Sequence, residues 1–105
     1  MDIRVLFKEE FDIRDLCNIL DKESCTIRKY ERSGLINKPK NYNQRGQVAW
    51  RNYTKQEVID ILSSLLDNHK IKKCRLSNPE ELAFVISFFK GEVTINDFPT
   101  LKGDK

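Results

Sequence analysis

The chain has little of what secreted, metal-dependent, membrane-spanning or catalytic proteins need. Its three cysteines, Cys17, Cys25 and Cys74, are odd in number and lack close pairing spacing, so they do not form a disulfide framework. Together with the single histidine, His69, they do not reach the ligand count and spacing of a metal site, and no metal is expected. No apolar run approaches the length of a membrane span, and Met1-Asp2-Ile3-Arg4 does not open a signal-like stretch. A cytoplasmic, reducing setting with no membrane partner is therefore expected. No Gly-rich phosphate loop is present, nor a nucleophile beside a base, nor paired acids in an apolar setting. The chain is expected not to be an enzyme and to need no cofactor. At 105 residues it can bury one modest core and no large active-site cavity.

What is present is charge, unevenly placed. The formal net charge is only +3. Between Lys22 and Lys55, however, nine Lys or Arg (22, 28, 29, 32, 38, 40, 45, 51, 55) face two acids (Glu23 and Glu31), a local +7 that leaves −4 for the remainder. A charge run often only solvates a helix face, but a basic centre between acidic flanks also marks an anion-binding surface.

The hydrophobic pattern predicts about four helices and a small hairpin. Ile3, Val5 and Phe7 alternate with Asp2 and Arg4, which suggests a short strand in an N-terminal extension over residues 1–10. A helix over 12–20 carries Ile13, Leu16, Cys17 and Leu20 on one face, with Asp12 as N-cap, Asp15 in the first turn and Phe11 placed to staple onto Leu16. A tight connection leads to a second helix over 24–33, with Ser24 as capping residue, Ile27 and Tyr30 inward and Gly34 at its end. Cys17 and Cys25 fall on these helices, where a free thiol usually behaves as a small buried hydrophobe. Two short helices joined by a tight turn, the second basic outside, form the helix-turn-helix pattern.

Residues 37–53 are polar and basic up to Arg45-Gly46, a plausible hairpin tip, and return through Val48, Trp50 and Tyr53. Pro39 belongs at a strand start or edge. Thr54 and Glu57 form a capping box for a third helix over 54–68, with Val58, Ile61, Leu62 and Leu65 inward. A basic linker follows from His69, itself expected at the surface, to Arg75. A fourth helix over 78–90 has Asn78, Pro79 and Glu81 at its start and Gly91 after it. It carries two apolar stripes, one through Leu82, Val85, Ile86 and Phe89 and one through Phe84 and Phe88. Two stripes imply two coverings: its own domain and either the N-terminal segment, the C-terminal tail or a second subunit. Phe84 and Phe88 are the candidate dimer or partner surface. Val93-Thr94-Ile95 suggests a short strand, Phe98-Pro99 a tuck onto the body, and 100–105 a frayed tail.

The segments T-I-R-K-Y-E-R-S-G-L from Thr26 and W-R-N-Y-T-K-Q-E-V from Trp50 resemble the DNA-binding domain of the MerR family of winged-helix regulators. More loosely, the chain resembles excisionase and phage small-terminase winged helices. Tyr30, Glu31, Gly34, Leu35, Arg51 and Tyr53 fall on matching positions over roughly residues 11–66, whereas Lys29 stands where the family has a tyrosine, and the hairpin is longer. The resemblance implies a mainly α, MerR-like winged helix-turn-helix over 11–68, with 24–33 as recognition helix and 37–53 as wing. It also implies a bacterial or phage origin. The long dimerisation helix and effector domain of typical members are not seen.

The expected function is sequence-specific binding of double-stranded DNA, most simply as a small transcriptional regulator without an effector domain. Ser24, Thr26, Arg28, Lys29 and Arg32 would face the major groove. Lys38, Lys40, Asn41, Tyr42, Asn43, Gln44, Arg45 and Arg51 would lie along the backbone, with Arg45 at the tip probing the minor groove. Trp50 and Tyr53 would lock the wing to the body. A homodimer is expected, since a single module makes a small interface. The alternatives are an architectural, excisionase or packaging factor, and an adaptor that docks on RNA polymerase or another protein.

Overall fold

The computed structural model describes residues 3–97, except the side chains of Ile3, Asn43, Arg45, Val48 and Asp97. The expectations for Phe98-Pro99 and the tail lie outside the described residues. The fold is mainly helical, with four α-helices and a small antiparallel sheet. The helices are α1 (Ile13–Leu20), α2 (Ser24–Ser33), α3 (Lys55–Lys70) and α4 (Pro79–Phe89). The strands are β1 (Glu10–Phe11), β2 (Asn41–Arg45) and β3 (Val48–Thr54), in the order β1-β3-β2.

Local chemistry sets most of these boundaries. Asp12 and Asp15 close a reciprocal capping box on α1: Asp12 Oδ1 accepts from the Asp15 amide and Asp15 Oδ2 from the Asp12 amide, both at 3.0 Å. Asp21 ends α1 in the left-handed region at φ 55°, which Asp tolerates better than most residues. The N-cap of α2 is Glu23, without a side-chain cap, so Ser24 is the first helical residue and not the capping one. Gly34 closes α2 at φ 84°, the left-handed conformation that glycine adopts without steric cost. Thr54 and Glu57 form the expected box on α3, which runs two residues beyond the expected 68. Asn78 stands at the N-cap position of α4 but makes no cap hydrogen bond. Its Nδ2 donates instead to the Ile19 carbonyl at 2.9 Å and to Glu81 Oε1 at 3.2 Å, which ties the start of α4 to α1.

The N-terminal strand expectation is corrected. Residues Ile3–Phe7 form a 3-10 helix, and the strand comes later, at Glu10–Phe11. Val5 and Leu6 are adjacent and both buried, which a one-sided strand could not achieve. Strand β1 pairs Glu10 with Thr54 and Phe11 with Tyr53, so the N-terminal segment is sewn to the end of β3. The segment Val93-Thr94-Ile95 forms no strand; Ile95–Asp97 is a single 3-10 turn.

One core joins all four helices to the sheet. Leu16, Ile19, Leu20, Ile27, Tyr53, Val58, Leu62, Leu65, Leu82 and Val85 are fully buried in it. The second apolar stripe of α4, expected as a partner surface, meets a covering within the chain. Phe84 is buried in the core, and Phe88 stacks on it at 5.9 Å between ring centroids while Phe7 covers Phe88 edge-on at 5.7 Å. The second apolar stripe is therefore covered by the chain's own N-terminal segment. The exposed aromatic left on that side is Phe7 itself.

Candidate nucleic-acid interface

The inward face of α2 carries Ile27 and, one turn later, Glu31. Both are buried, and the Glu31 side chain is only 2% exposed. A lone carboxylate there would be costly, and the hairpin supplies its partners. Arg51 Nε donates to Glu31 Oε2 at 2.9 Å and Arg51 Nη2 donates to Oε1 at 3.0 Å, a bidentate fork. The Tyr53 hydroxyl donates to Oε2 at 3.3 Å. The hydrogen bonds to Glu31 push the Arg51 pKa up against the opposing effect of burial. Burial, reinforced by the Glu31 charge, pushes the Tyr53 phenol well above its ordinary value, so it stays a neutral donor. This clasp fixes α2 against β3.

The clasp changes the reading of Arg51. Its guanidinium edge is committed to Glu31 and its side chain is largely covered, so it positions the hairpin. The pair also removes one cation and one acid from the Lys22–Lys55 segment. Eight Lys or Arg then remain against Glu23 alone, the same +7.

On the outward side of α2, Arg28, Lys29 and Arg32 are exposed, while Ser24 and Thr26 are half-buried at its first turn. Arg28 and Arg32 are one turn apart and share a face, with Lys29 beside them. Cys25 is exposed in line with Lys29, which corrects its expected burial. Cys17 is half-buried, and burial pushes its thiol up, away from the reactive thiolate form.

The hairpin turns on two residues, Gly46 and Gln47, with Gly46 at φ 61°. The expected Arg45-Gly46 tip is therefore shifted by one residue, and Arg45 is the last residue of β2, paired with Val48. The Gln44 side chain donates to the Gly46 carbonyl at 2.9 Å and pins the turn. Lys38, Lys40, Asn41, Tyr42 and Gln44 are all exposed; the side chains of Asn43 and Arg45 lie outside the description. At the base, Trp50 is half-buried with the Arg14 guanidinium 5.3 Å over its ring, and Tyr53 is fully buried.

Glu57 has a role that the capping box alone does not reveal. Besides accepting from the Thr54 amide, it accepts from the Lys40 amide at 2.9 Å, so one carboxylate holds both the start of α3 and the approach to β2. Partial burial opposes its charged form, but the Thr54 and Lys40 amides and the Lys40 charge outweigh that and hold its pKa below the usual value.

The second basic cluster is placed beside the turn between α1 and α2. Lys70, Lys72, Lys73 and Arg75 are exposed around the end of α3, where cations suit the helix dipole. His69 is half-buried, not a free surface residue, and its Nδ1 accepts from the Leu76 amide at 3.2 Å. Ser77 Oγ donates to Asp21 Oδ2 at 3.5 Å, and the Asn78 bond to Ile19 anchors the same stretch. Exposed cations thus lie on α2, on the approach to the hairpin and around this turn.

Sequence reasoning placed Glu31 on a family-matching position but gave it no role, yet a signal existed: an acid inside a basic run, one helical turn after a core isoleucine. It had no means to find the Glu57–Lys40 bond, which spans two elements. Among the described residues no cluster of acids, histidines or cysteines could hold a metal ion, and no helix is long and apolar enough to cross a membrane. The chain matches no known protein family, and neither a curated protein nor a solved structure shows detectable similarity to it.

Proposed function

We propose that the chain binds double-stranded DNA sequence-specifically as a winged helix-turn-helix of MerR-like type. Helix α2 is the recognition helix and the β2–β3 hairpin is the wing. The observation that carries this reading is the clasp. It turns the one inward acid of the basic segment into a fixed joint between α2 and the hairpin, and among the described residues no ion pair takes up Arg28, Lys29, Arg32 or Lys38. Arg28, Lys29 and Arg32 then meet the major groove, where Arg suits bidentate guanine contact. Lys38, Lys40 and the polar strand β2 run along the phosphates, with Arg45 reaching toward the minor groove. The basic turn after α3 adds further phosphate contacts. Two copies on a repeated or inverted site fit the small footprint of one module, and the role that fits best is a transcriptional regulator.

Selection of bound sequences from a random duplex pool at fixed salt tests this reading. The expected result is a defined motif whose enrichment is lost in Arg28→Ala with Lys29→Ala. Retention of random duplex with no motif would move an architectural or packaging role ahead, and no retention at low salt would remove the DNA reading altogether.

A further inference from the structure

A cleft of about 340 Å³ opens between the connection from α2 to β2 and the first two turns of α3. That volume is at the lower end of the range of about 300–1,000 Å³ typical of small-molecule sites. A smaller cavity of about 120 Å³ adjoins it and shares Asn37, Asp60 and Ile61, so the two form one groove under the connection. The connection has no secondary structure of its own over residues 35–40. It is fastened to α3 near each end of the groove: Ser64 Oγ donates to the Leu35 carbonyl at 2.6 Å, and the Lys40 amide donates to Glu57.

The two walls carry opposite charge. Lys38 and Lys40 stand on the connection, and Glu57 and Asp60 on α3. Across the cleft, among the described residues, no ion pair joins these ammonium groups to these carboxylates within 4 Å. Glu57 has both oxygens occupied by the Thr54 and Lys40 amides. Asp60 has only one occupied, its Oδ1 accepting from Gln56 Nε2 at 3.0 Å, which leaves Oδ2 open. Ile61, 3% exposed, gives the cleft floor an apolar edge, while Tyr53 borders it fully covered.

A simple anion entering this cleft meets the carboxylate wall, and a simple cation meets the lysines. A ligand that carries both charges on a small apolar body satisfies both walls at once. We infer that the cleft binds a small zwitterion of the α-amino-acid class, its carboxylate toward Lys38 and Lys40, its ammonium toward Asp60 and its side chain toward the floor at Ile61. The ligand would brace the segment that carries the hairpin, a consequence for DNA affinity that rests on the preceding proposal. The site itself does not depend on that proposal, and its test contains no DNA.

The test is a titration of the full chain followed by the side-chain carboxamide resonances of Asn37, Asn41 and Gln56, which line the cleft. Three probes of matched shape are used: L-leucine, 4-methylpentanoate with the anion alone, and 3-methylbutylamine with the cation alone. Leucine should shift these resonances saturably in the millimolar range, and more tightly than either analogue by about fivefold, the scale of one exposed charge pair. Asp60→Asn, an exposed substitution that keeps the acceptor for Gln56, should reduce leucine to the level of 4-methylpentanoate. Equal responses to all three probes, no saturable response to leucine, or an undiminished leucine preference in Asp60→Asn would overturn the inference.

Discussion

Replacing Arg51 by alanine tests the joint on which the arrangement of α2 and the hairpin depends. The substitution leaves Glu31, whose side chain is 2% exposed, with only the Tyr53 hydroxyl at 3.3 Å in place of a bidentate fork. Breaking one side of a buried ion pair costs about 3–5 kcal/mol. Arg51 is 23% exposed, so water can recover part of the loss. An expected cost of about 2–3 kcal/mol follows. For a domain of this size that lowers the melting temperature by roughly 8–24 °C. Glu31→Gln keeps the shape and one acceptor and should cost less, about 1–2 kcal/mol. The double replacement Glu31→Gln with Arg51→Ala removes both charges together and should be less damaging than the two single changes summed, because no buried charge is stranded. Urea unfolding of the four proteins, read at constant m-value, provides the comparison. A cost below about 0.5 kcal/mol for Arg51→Ala, within the range of ordinary surface changes, or strict additivity in the double variant, would refute the clasp.

Further outcomes follow from the same contacts. Glu57→Gln should destabilise the fold by about 1 kcal/mol, the usual value of a lost cap. Because the folded pKa of Glu57 lies below its ordinary 4.5, its contribution is complete above that value and disappears as pH falls through the folded pKa. The wild-type protein should therefore lose more stability than Glu57→Gln between about pH 6 and about pH 3, roughly 1.5 units on either side of the ordinary value, as measured by urea midpoints. Phe84→Ala should cost about 3 kcal/mol as a core truncation. Its unfolding midpoint should shift by the same amount at low and high protein concentration, whereas a midpoint shift that depended on concentration would restore Phe84 to a subunit interface.

Legibility of the fold from sequence followed the range of the interactions. The box at Asp12, Gly34 after α2, the Thr54–Glu57 box and the inward stripe of α3 are all set within four residues, and each lies where its spacing places it. Features that depend on distant partners were read less well. Strand β1 exists because Phe11 and Glu10 find Tyr53 and Thr54, more than forty positions away. Ile3–Phe7 has an alternating pattern but no strand to pair with, and it buries both Val5 and Leu6 by coiling into a 3-10 helix. The two-stripe pattern of α4 correctly implied a second covering, and Phe7 supplies it from within the chain. At the candidate interface, the cations of α2 and the hairpin arm are exposed as their spacing implies. Arg51 shows why residue type alone misleads: a guanidinium suited to phosphate is equally suited to a buried carboxylate, and only the position of Glu31 decides between them.

The most direct measurement is duplex-DNA affinity as a function of salt, for the wild-type chain and for Lys38→Ala with Lys40→Ala. The wild-type logarithm of the binding constant should fall linearly with the logarithm of salt concentration, with a slope of about −0.9 per phosphate neutralised. Removing these two cations should flatten the slope by nearly two units, with about one unit for each lost phosphate contact. Absence of binding at low salt, or a slope unchanged by the two substitutions, would contradict the assignment of α2 and the hairpin as a DNA-binding face.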